Sequence, residues 1–270
     1  MGTRQSETVN ASFGTVEVHR WGEGGRPVVI LHAAATGPRA YGPLADLLAD
    51  TGWSCVVPAL HGYGASLVDA AADTVDGHVA IARWAVETSG AEAVFGHSMG
   101  GLVALLGAET LNLDRLVLFE PILFDALDPV ADAALIAAES EMAAAMVRTL
   151  AEGRPEDAVR AFVEVWNDTS WSDLPEPARA RLTDLATGVV ADTQATGTAT
   201  IGKGVWSAAP PTTLIHGDRS PEIVRHMVAG ARRRMPGARV ERLPGLGHMA
   251  PLLSAPAVAA ALVSALGTPS

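Results

Sequence analysis

The chain has 270 residues, of which 49% are hydrophobic, and its 19 Lys and Arg against 30 Asp and Glu give a net charge of −11. This length and apolar content suit one large domain with a sizeable core and room for an inserted subdomain. The excess of acidic residues excludes a polyanion such as nucleic acid as the expected partner.

The first residues of the chain do not predict a secretory leader, and we take their short match to a myristoylation pattern as chance. Residues 1–6 are polar and lack the apolar core of a secretory leader. The longest apolar tract, 249–266, is interrupted by Pro251 and Pro256, which predicts a helix of a folded domain and not a membrane span. The single cysteine, Cys55, allows no internal disulfide. We therefore predict a cytoplasmic protein without membrane contact.

Strand and helix patterns alternate along most of the chain, which is typical of a mostly parallel sheet with helices on both faces. The alternating segment 13–21 predicts an edge strand, and the fully apolar run 27–31 predicts a buried parallel strand. The other predicted strands are 53–57, 93–95, 116–119, 212–215 and 239–243. Helices are predicted at 41–50, 75–89, around 102–106 and at 256–266.

The turn after the strand at 93–95 has the form G-x-S-x-G, with Gly96, Ser98 and Gly100 at the fixed positions. This spacing is that of a nucleophile elbow, a strained turn in which the glycines leave room where a Cβ would clash. The following helix would offer backbone N–H groups and its positive dipole end to a developing oxyanion. A chance turn is the alternative, but the apolar strand and helix on either side favour the elbow.

The alternation is interrupted between residues 122 and 205. Apolar residues recur there at helical spacing, and Pro155, Pro175 and Pro177 separate the segments. We predict an insertion of three or four helices at 122–205, a helical cap, which leaves 1–121 and 206–270 as the core domain. Its inner Met, Phe and Trp residues, Trp166 first among them, could roof an apolar substrate pocket. The alternative is that they are ordinary core residues of a helical layer.

These features resemble the α/β-hydrolase fold superfamily, in its serine-nucleophile members with a helical cap after the sixth strand. The resemblance covers nearly the whole chain and rests on residues 31–34, 58–66, 96–101, 216–221 and 245–249. It implies an α/β fold with a mostly parallel, eight-stranded sheet and helices on both faces. It also implies a hydrolase, but it says little about the substrate.

In this family the catalytic residues follow in the order nucleophile, acid, histidine. The resemblance therefore implies that Ser98 is the nucleophile and that His248, in a glycine-rich loop after the last strand, is the base. The imidazole would take the serine proton and return it to the leaving group.

The acid departs from the commonest family pattern, because Ser220 stands where an aspartate is usual. We prefer Glu120, which lies at the strand end where some haloalkane dehalogenases carry a glutamate. Asp218 is the second candidate, and Glu222 or another carboxylate remains a further alternative. Only a carboxylate beside the histidine would fix its tautomer and stabilise the imidazolium.

The backbone N–H groups of Met99 and Ala33 are the expected oxyanion hole. His32 is a candidate residue of the substrate pocket. Ser98 excludes a dehalogenase or an epoxide hydrolase, since both need an aspartate nucleophile. No metal-ligand spacing or phosphate loop is visible in the sequence, so we predict chemistry without metal or cofactor.

We therefore predict a serine hydrolase that cleaves a small apolar ester, lactone or thioester through an acyl-enzyme. Hydrolysis of a carbon–carbon bond beside a ketone, or acyl transfer, remains open on the same residues. A non-catalytic ligand-binding protein of the same fold is the competing class, although binding alone has no use for an elbow serine. The oligomeric state is left open.

Overall fold

The computed structural model describes residues 4–167 and 169–267, and within them the strands form a single sheet. The strands are β1 (Arg4–Ala11), β2 (Gly14–Trp21), β3 (Arg26–Leu31), β4 (Trp53–Pro58), β5 (Leu67–Val68), β6 (Ala93–His97), β7 (Arg115–Phe119), β8 (Thr212–Gly217) and β9 (Arg239–Leu243). Their spatial order is β1-β2-β4-β3-β6-β7-β8-β9, with β5 beside β2. From β4 to β9 along this order every pairing is parallel, which confirms the predicted mostly parallel sheet.

The edge-strand prediction for residues 13–21 is wrong. Strand β2 is paired on both sides, antiparallel to β1 and to β4, and the edge is β1. The apolar residues of β2, Val16 and Val18, are buried, which gives the alternation that the sequence shows. Most side chains of β1 are exposed and polar, so this strand has no apolar pattern from which it could be predicted. The short β5 adds one strand to the eight that the resemblance implies.

Helices cover both faces of the sheet. They are α1 (Gly42–Ala49), α2 (Thr74–Ser89), α3 (Met99–Ala108), α4 (Ala133–Ala151), α5 (Pro155–Trp166), α6 (Glu176–Asp184), α7 (Ala186–Thr198), α8 (Lys203–Ala208), α9 (Glu222–Arg234), α10 (Ala250–Leu253) and α11 (Ala255–Leu266). One apolar layer joins α1 and α11 to the sheet, and a second joins α2, α3 and α9 to its other face. Burial of these two layers explains why the sheet strands are apolar on both sides.

Between β7 and β8 the described residues form helices and turns without a strand. The helices α4, α5, α6 and α7 pack around a separate apolar cluster that includes Met146, Val163, Trp171 and Val189. The next helix, α8, crosses the predicted boundary at residue 205 and packs in the core layer. The division into core domain and cap stays a prediction. In the described part of the chain no helix combines the length and apolar character needed to cross a bilayer.

Candidate active site

The carboxyl ends of neighbouring parallel strands bring the predicted site residues to one edge of the sheet. Ser98 directly follows β6, and Glu120 directly follows β7, its neighbour in the sheet. His248 lies in the loop after β9, which is two strands further along. Ligand sites of α/β proteins lie at this edge, outside the carboxyl ends of the strands.

The turn that carries Ser98 is tight, and the positions two residues before and after it have room only for glycine. Ser98 has a φ of 57°, which is rare for a residue with a side chain. A Cβ on Gly96 would come within 2.4 Å of the Gly100 carbonyl oxygen, and one on Gly100 within 2.2 Å of the Leu31 carbonyl oxygen. The Ser98 N–H donates to the Phe119 carbonyl oxygen at 3.0 Å, which fixes the turn against β7. The glycines of the G-x-S-x-G pattern are therefore sterically required.

Ser98, His248 and Glu120 form one line of hydrogen-bond contacts. The His248 Nε2 atom lies 3.1 Å from the Ser98 Oγ, and the His248 Nδ1 atom lies 2.7 Å from the Glu120 Oε2. Ser98 is 5% exposed, His248 is 2% exposed and Glu120 is fully buried. Both contacts have the length expected between a nucleophile, its base and the group that orients the base. The arrangement can move a proton between Ser98 and His248.

The second carboxylate oxygen of Glu120 is also occupied. The Gly217 N–H donates to Oε1 at 2.7 Å, and the Ser220 hydroxyl donates to the same oxygen. Hydrogen bonds of this kind stabilise a buried carboxylate that has lost its water. Ser220, at the position where the family usually has an aspartate, thus contacts the carboxylate that reaches His248.

The other two acid candidates lie away from His248. Asp218 accepts a hydrogen bond from the Gly245 N–H at 2.7 Å and so ties down the glycine-rich loop before His248. Glu222 is exposed in the first turn of α9, with Arg225 at 3.9 Å. The structure therefore places one of the three proposed carboxylates, Glu120, against the imidazole.

The oxyanion prediction for Ala33 needs correction. The Ala33 N–H donates to the Tyr41 hydroxyl at 3.0 Å, and the Ala35 N–H donates to the Tyr63 hydroxyl at 3.0 Å. The N–H of Ala34, between them, has no acceptor among the described residues. Ala34 also lines the cavity above Ser98, so its N–H and not that of Ala33 is free to meet a substrate oxygen.

Met99 supplies the other predicted oxyanion donor. It is the first residue of α3, where the N–H groups have no intrahelical acceptor, and it lines the same cavity as Ser98. The positive end of the α3 dipole is also directed at this point.

Tyr41, which the sequence did not predict as a site residue, connects the loop of Ala33 through His97 to the loop of His248. Its hydroxyl lies 2.6 Å from the His97 Nδ1, and the His97 Nε2 lies 2.9 Å from the His248 carbonyl oxygen. Burial is the main cause that holds the pKa of His97 well below its usual range. A neutral His97 that donates from Nε2 and accepts at Nδ1 satisfies both contacts. Because these hydroxyl contacts join residues distant in the chain, sequence spacing gives no signal for them.

His32 does not belong to the substrate pocket, which corrects the prediction. Its ring is buried, and burial lowers its pKa to about 4. The neutral ring donates from Nδ1 to the Ala33 carbonyl oxygen at 2.9 Å and accepts the Leu60 N–H at Nε2 at 3.0 Å. It therefore joins two loops at the carboxyl edge of the sheet.

A cavity of about 570 Å³ opens above Ser98, within the size range of small-molecule sites. Its roof comes from α4, α5 and α7, including Met142, Phe162 and Trp166. The Trp166 ring centre lies 5.1 Å from that of His248, so this predicted pocket residue does reach the site. Most of the lining surface is apolar. Among the described residues, no group of three His, Cys, Asp or Glu side chains is arranged to hold a metal.

The comparisons with known proteins concern the family and the fold of the chain. The model of the alpha/beta hydrolase family matches residues 28–262. No curated protein matches the chain. An alpha/beta hydrolase from Sphaerobacter thermophilus is 27% identical, with a TM-score of 0.69 over 97% of this chain and 100% of that one.

Two further solved structures show the same fold at lower identity. An esterase from Exiguobacterium antarcticum is 20% identical, with a TM-score of 0.75 over 98% of each chain. The thioesterase domain from the curacin biosynthetic pathway is 17% identical, with a TM-score of 0.65 over 97% of this chain and 99% of that one.

Proposed function

The chain belongs to the alpha/beta hydrolase family, and from this premise we propose that it is a serine hydrolase acting through an acyl-enzyme. Its substrate class is an ester, lactone or thioester with an apolar acyl group. The observation that carries the proposal is the line of contacts from the Ser98 Oγ through His248 to the buried Glu120 carboxylate, at the base of an apolar cavity.

In the first half of the reaction, the Ser98 Oγ attacks the carbonyl carbon while the His248 Nε2 takes the hydroxyl proton. Glu120 accepts the Nδ1–H and stabilises the imidazolium. The negative charge moves to the carbonyl oxygen, where the N–H groups of Met99 and Ala34 bind it. The carbon–oxygen or carbon–sulfur bond then breaks, His248 protonates the leaving alcohol or thiol, and the acyl group stays on Ser98.

In the second half, a water molecule replaces the leaving group. His248 takes a proton from this water, whose oxygen attacks the acyl carbon, and the same oxyanion donors bind the new charge. His248 then returns the proton to the Ser98 Oγ, and the carboxylic acid leaves. A second alcohol or thiol in place of water would give acyl transfer on the same residues.

We also propose that residues 122–205 act as a cap over the substrate. The support is that α4, α5 and α7 line the cavity opposite Ser98 and that Trp166 lies against His248. Closed apolar walls exclude water and favour an apolar acyl chain. The core domain, residues 1–121 and 206–270, supplies the groups that take part in the chemistry.

The proposal is tested with a fluorophosphonate probe and p-nitrophenyl esters of increasing chain length. Wild-type protein should be labelled once per chain and should turn over the esters. Ser98→Ala should lose labelling and lower kcat by about 10⁴-fold or more, since little beyond binding and the oxyanion donors remains. Its melting temperature should stay close to that of the wild type.

The matched control is Ser140→Ala, which removes another serine hydroxyl that lines the cavity. That hydroxyl donates to the Ile136 carbonyl oxygen within α4 and has no part in the mechanism. The Ser140→Ala variant should be labelled by the probe like the wild type. Retention of ester hydrolysis by Ser98→Ala within tenfold of the wild type would overturn the proposed function.

A further inference from the structure

The charged residues of the cavity are all acidic. Asp125, Glu139 and Asp192 line it, and within the described residues no Lys, Arg or His does. Two of the three carboxylates are already partnered. Asp125 binds the Arg234 guanidinium at 2.8 Å, and Asp192 accepts hydrogen bonds from neighbouring buried side chains.

Glu139 differs from the other two carboxylates. It lies on α4 and is half-buried, and among the described residues it has no hydrogen-bond or ion-pair partner. Loss of water without a compensating partner raises its pKa to about 7. A cation placed beside this carboxylate would restore the missing favourable contact, whereas a second anion would add repulsion.

We propose that the substrate of the hydrolase carries a cationic group, such as a substituted ammonium, that pairs with Glu139 inside the cavity. This inference rests on the proposed function, because Ser98 must act on the same bound molecule. The apolar walls would hold the acyl chain between the two polar points, Ser98 on the floor and Glu139 in the roof. Anionic substrates should be the poorest, since no positive residue of the described lining would meet them.

The test compares p-nitrophenyl esters of one chain length that end in a trimethylammonium, a tert-butyl or a carboxylate group. The first two have nearly the same shape and differ in charge. We expect kcat/KM for the trimethylammonium ester to exceed that for the tert-butyl ester by about tenfold, with the carboxylate ester lowest. Glu139→Gln should abolish the advantage of the cation, so that kcat/KM for the trimethylammonium ester falls to about that for the tert-butyl ester in the same variant.

The matched control is Glu141→Gln on the same helix. Glu141 is exposed and pairs with Arg148 at 2.8 Å, so its substitution changes the net charge equally without touching the cavity. The cation preference should survive in this variant. The inference is overturned if the wild type does not prefer the cationic ester, or if the preference survives in Glu139→Gln.

These outcomes separate the two proposals. Hydrolysis of the tert-butyl ester and labelling of Ser98, without a preference for the cation, would overturn the inference alone. If no ester is hydrolysed and Ser98 is not labelled, the proposed function fails and the inference fails with it.

Two tyrosine hydroxyls contact the loop that carries Ala34, and these contacts support a second inference. We infer that Tyr41 and Tyr63, the two tyrosines of the chain, are positioning residues for the Ala34 N–H. Their hydroxyls accept the N–H groups on either side of Ala34, those of Ala33 and Ala35. The middle N–H is left without an acceptor among the described residues, and Ala34 lines the cavity. Ala35 has a φ of 61°, an uncommon conformation that the surrounding contacts must maintain.

The helical insertion holds this loop from the other side. The Tyr63 hydroxyl donates to the Asp192 carboxylate of α7 at 2.7 Å, and the His78 Nε2 lies 2.9 Å from the other oxygen of Asp192. The Arg181 guanidinium of α6 donates to the carbonyl oxygens of Ala35 and Thr36, at 3.2 Å and 3.0 Å. The conformation of the oxyanion loop therefore depends on contacts with the insertion.

The test uses Tyr41→Phe and Tyr63→Phe, which remove the hydroxyls, and Asp192→Asn, which keeps the side-chain shape but replaces one acceptor oxygen by a donor NH2 group. Loss of a whole oxyanion donor costs about 10²–10³ in kcat, so misalignment of one should cost about 10- to 100-fold. KM for a neutral ester should change little. Affinity for a boronic acid, which binds Ser98 as a tetrahedral mimic, should fall by the same factor as kcat.

Asp73→Ala is the control for a loss of stability alone. Asp73 accepts the Asp76 N–H at 2.9 Å as the cap of α2, so the variant loses a backbone contact that does not involve the loop. It should melt earlier with an unchanged kcat. The inference is overturned if the tyrosine and Asp192 variants likewise lose only thermal stability and keep both kcat and boronic acid affinity.

Discussion

The polar groups of the cavity floor, formed by Ser98 with His248 and Glu120 behind it, differ from those of the roof, formed by α4, α5 and α7, in whether they have partners. On the floor, both ring nitrogens of His248 and both carboxylate oxygens of Glu120 have partners, and so has the hydroxyl of Ser98. Most of the cavity lining is apolar, and in the roof Glu139 has no partner among the described residues. Hydrogen bonds that occupy every polar group hold the catalytic residues in one geometry. An apolar wall with one unpartnered carboxylate instead selects among ligands. Changes in the floor should therefore lower kcat, and changes in the roof should alter which substrates are accepted.

The largest effect that tests this comparison, after the loss of Ser98 itself, is expected for Glu120→Gln. The amide keeps the shape of the side chain but removes the charge, and it can offer an N–H to His248 in place of an acceptor. The wrong tautomer and the unsupported imidazolium should lower kcat by about 10⁴-fold, as for the corresponding change in a serine-protease triad. Steady-state hydrolysis of a neutral p-nitrophenyl ester measures it.

Asp218→Asn is the matched control for Glu120→Gln, because the acid-to-amide change is the same. Asp218 holds the loop at Gly245 and does not contact His248, so its variant should lose less than about tenfold in kcat. If instead the Asp218 variant were the inactive one and Glu120→Gln kept its kcat, Glu120 would not be the acid and the floor would not act as a single unit.

A smaller effect is expected for Ser220→Ala. It removes one of the two donors to the Glu120 Oε1 and leaves that of Gly217. A hydrogen bond to a charged group contributes about 1.5–3 kcal/mol, so kcat should fall by about 10- to 100-fold.

Ser220→Asp in the Glu120→Gln background sharpens this result. Because Ser220 stands at the position of the usual family acid, a carboxylate there should recover part of the lost kcat. Ser220→Asn in the same background is the uncharged control and should recover none. Equal kcat in the two double variants would show that position 220 cannot support His248 from that side.

The sequence predicted the elements of the floor that follow from strand order. Ser98 and Glu120 stand at the carboxyl ends of adjacent parallel strands, so strand order alone brings them to one edge. The G-x-S-x-G glycines could be predicted for a similar reason, because sterics within one turn demand them. Patterns local to one strand or turn are sufficient for Ser98 and its glycines. They do not choose between Glu120 and Asp218, which both directly follow a parallel strand, so Glu120 was preferred on the family resemblance alone.

The oxyanion loop could not be predicted in the same way. The choice between Ala33 and Ala34 depends on two hydroxyl groups that arrive from Tyr41 and Tyr63. Neither contact is set by a periodic pattern, since each depends on how a loop folds over the sheet edge. Strand β1 was missed for a related reason, because its exposed side chains show no core-facing pattern.

The smallest effect on kcat, and the most direct test of the roof, is expected for Trp166→Ala. The indole lines the cavity and lies against the His248 ring, so its removal should open space near the scissile bond. The preferred chain length among p-nitrophenyl esters should shift to longer acyl groups, with kcat for the best ester within about tenfold of the wild type. Profiles of kcat/KM against chain length measure the shift.

Trp171→Ala is the matched control, because Trp171 is also a buried tryptophan of the insertion but packs in its interior cluster and does not line the cavity. Truncation of a buried tryptophan costs about 3–5 kcal/mol, so both variants should melt earlier than the wild type. Only Trp166→Ala should change the chain-length profile. A profile that stays unchanged in Trp166→Ala, or that shifts equally in both variants, would mean that Trp166 supports the fold of the insertion without selecting the substrate. The distinction between a floor that catalyses and a roof that selects would then rest on Glu139 alone.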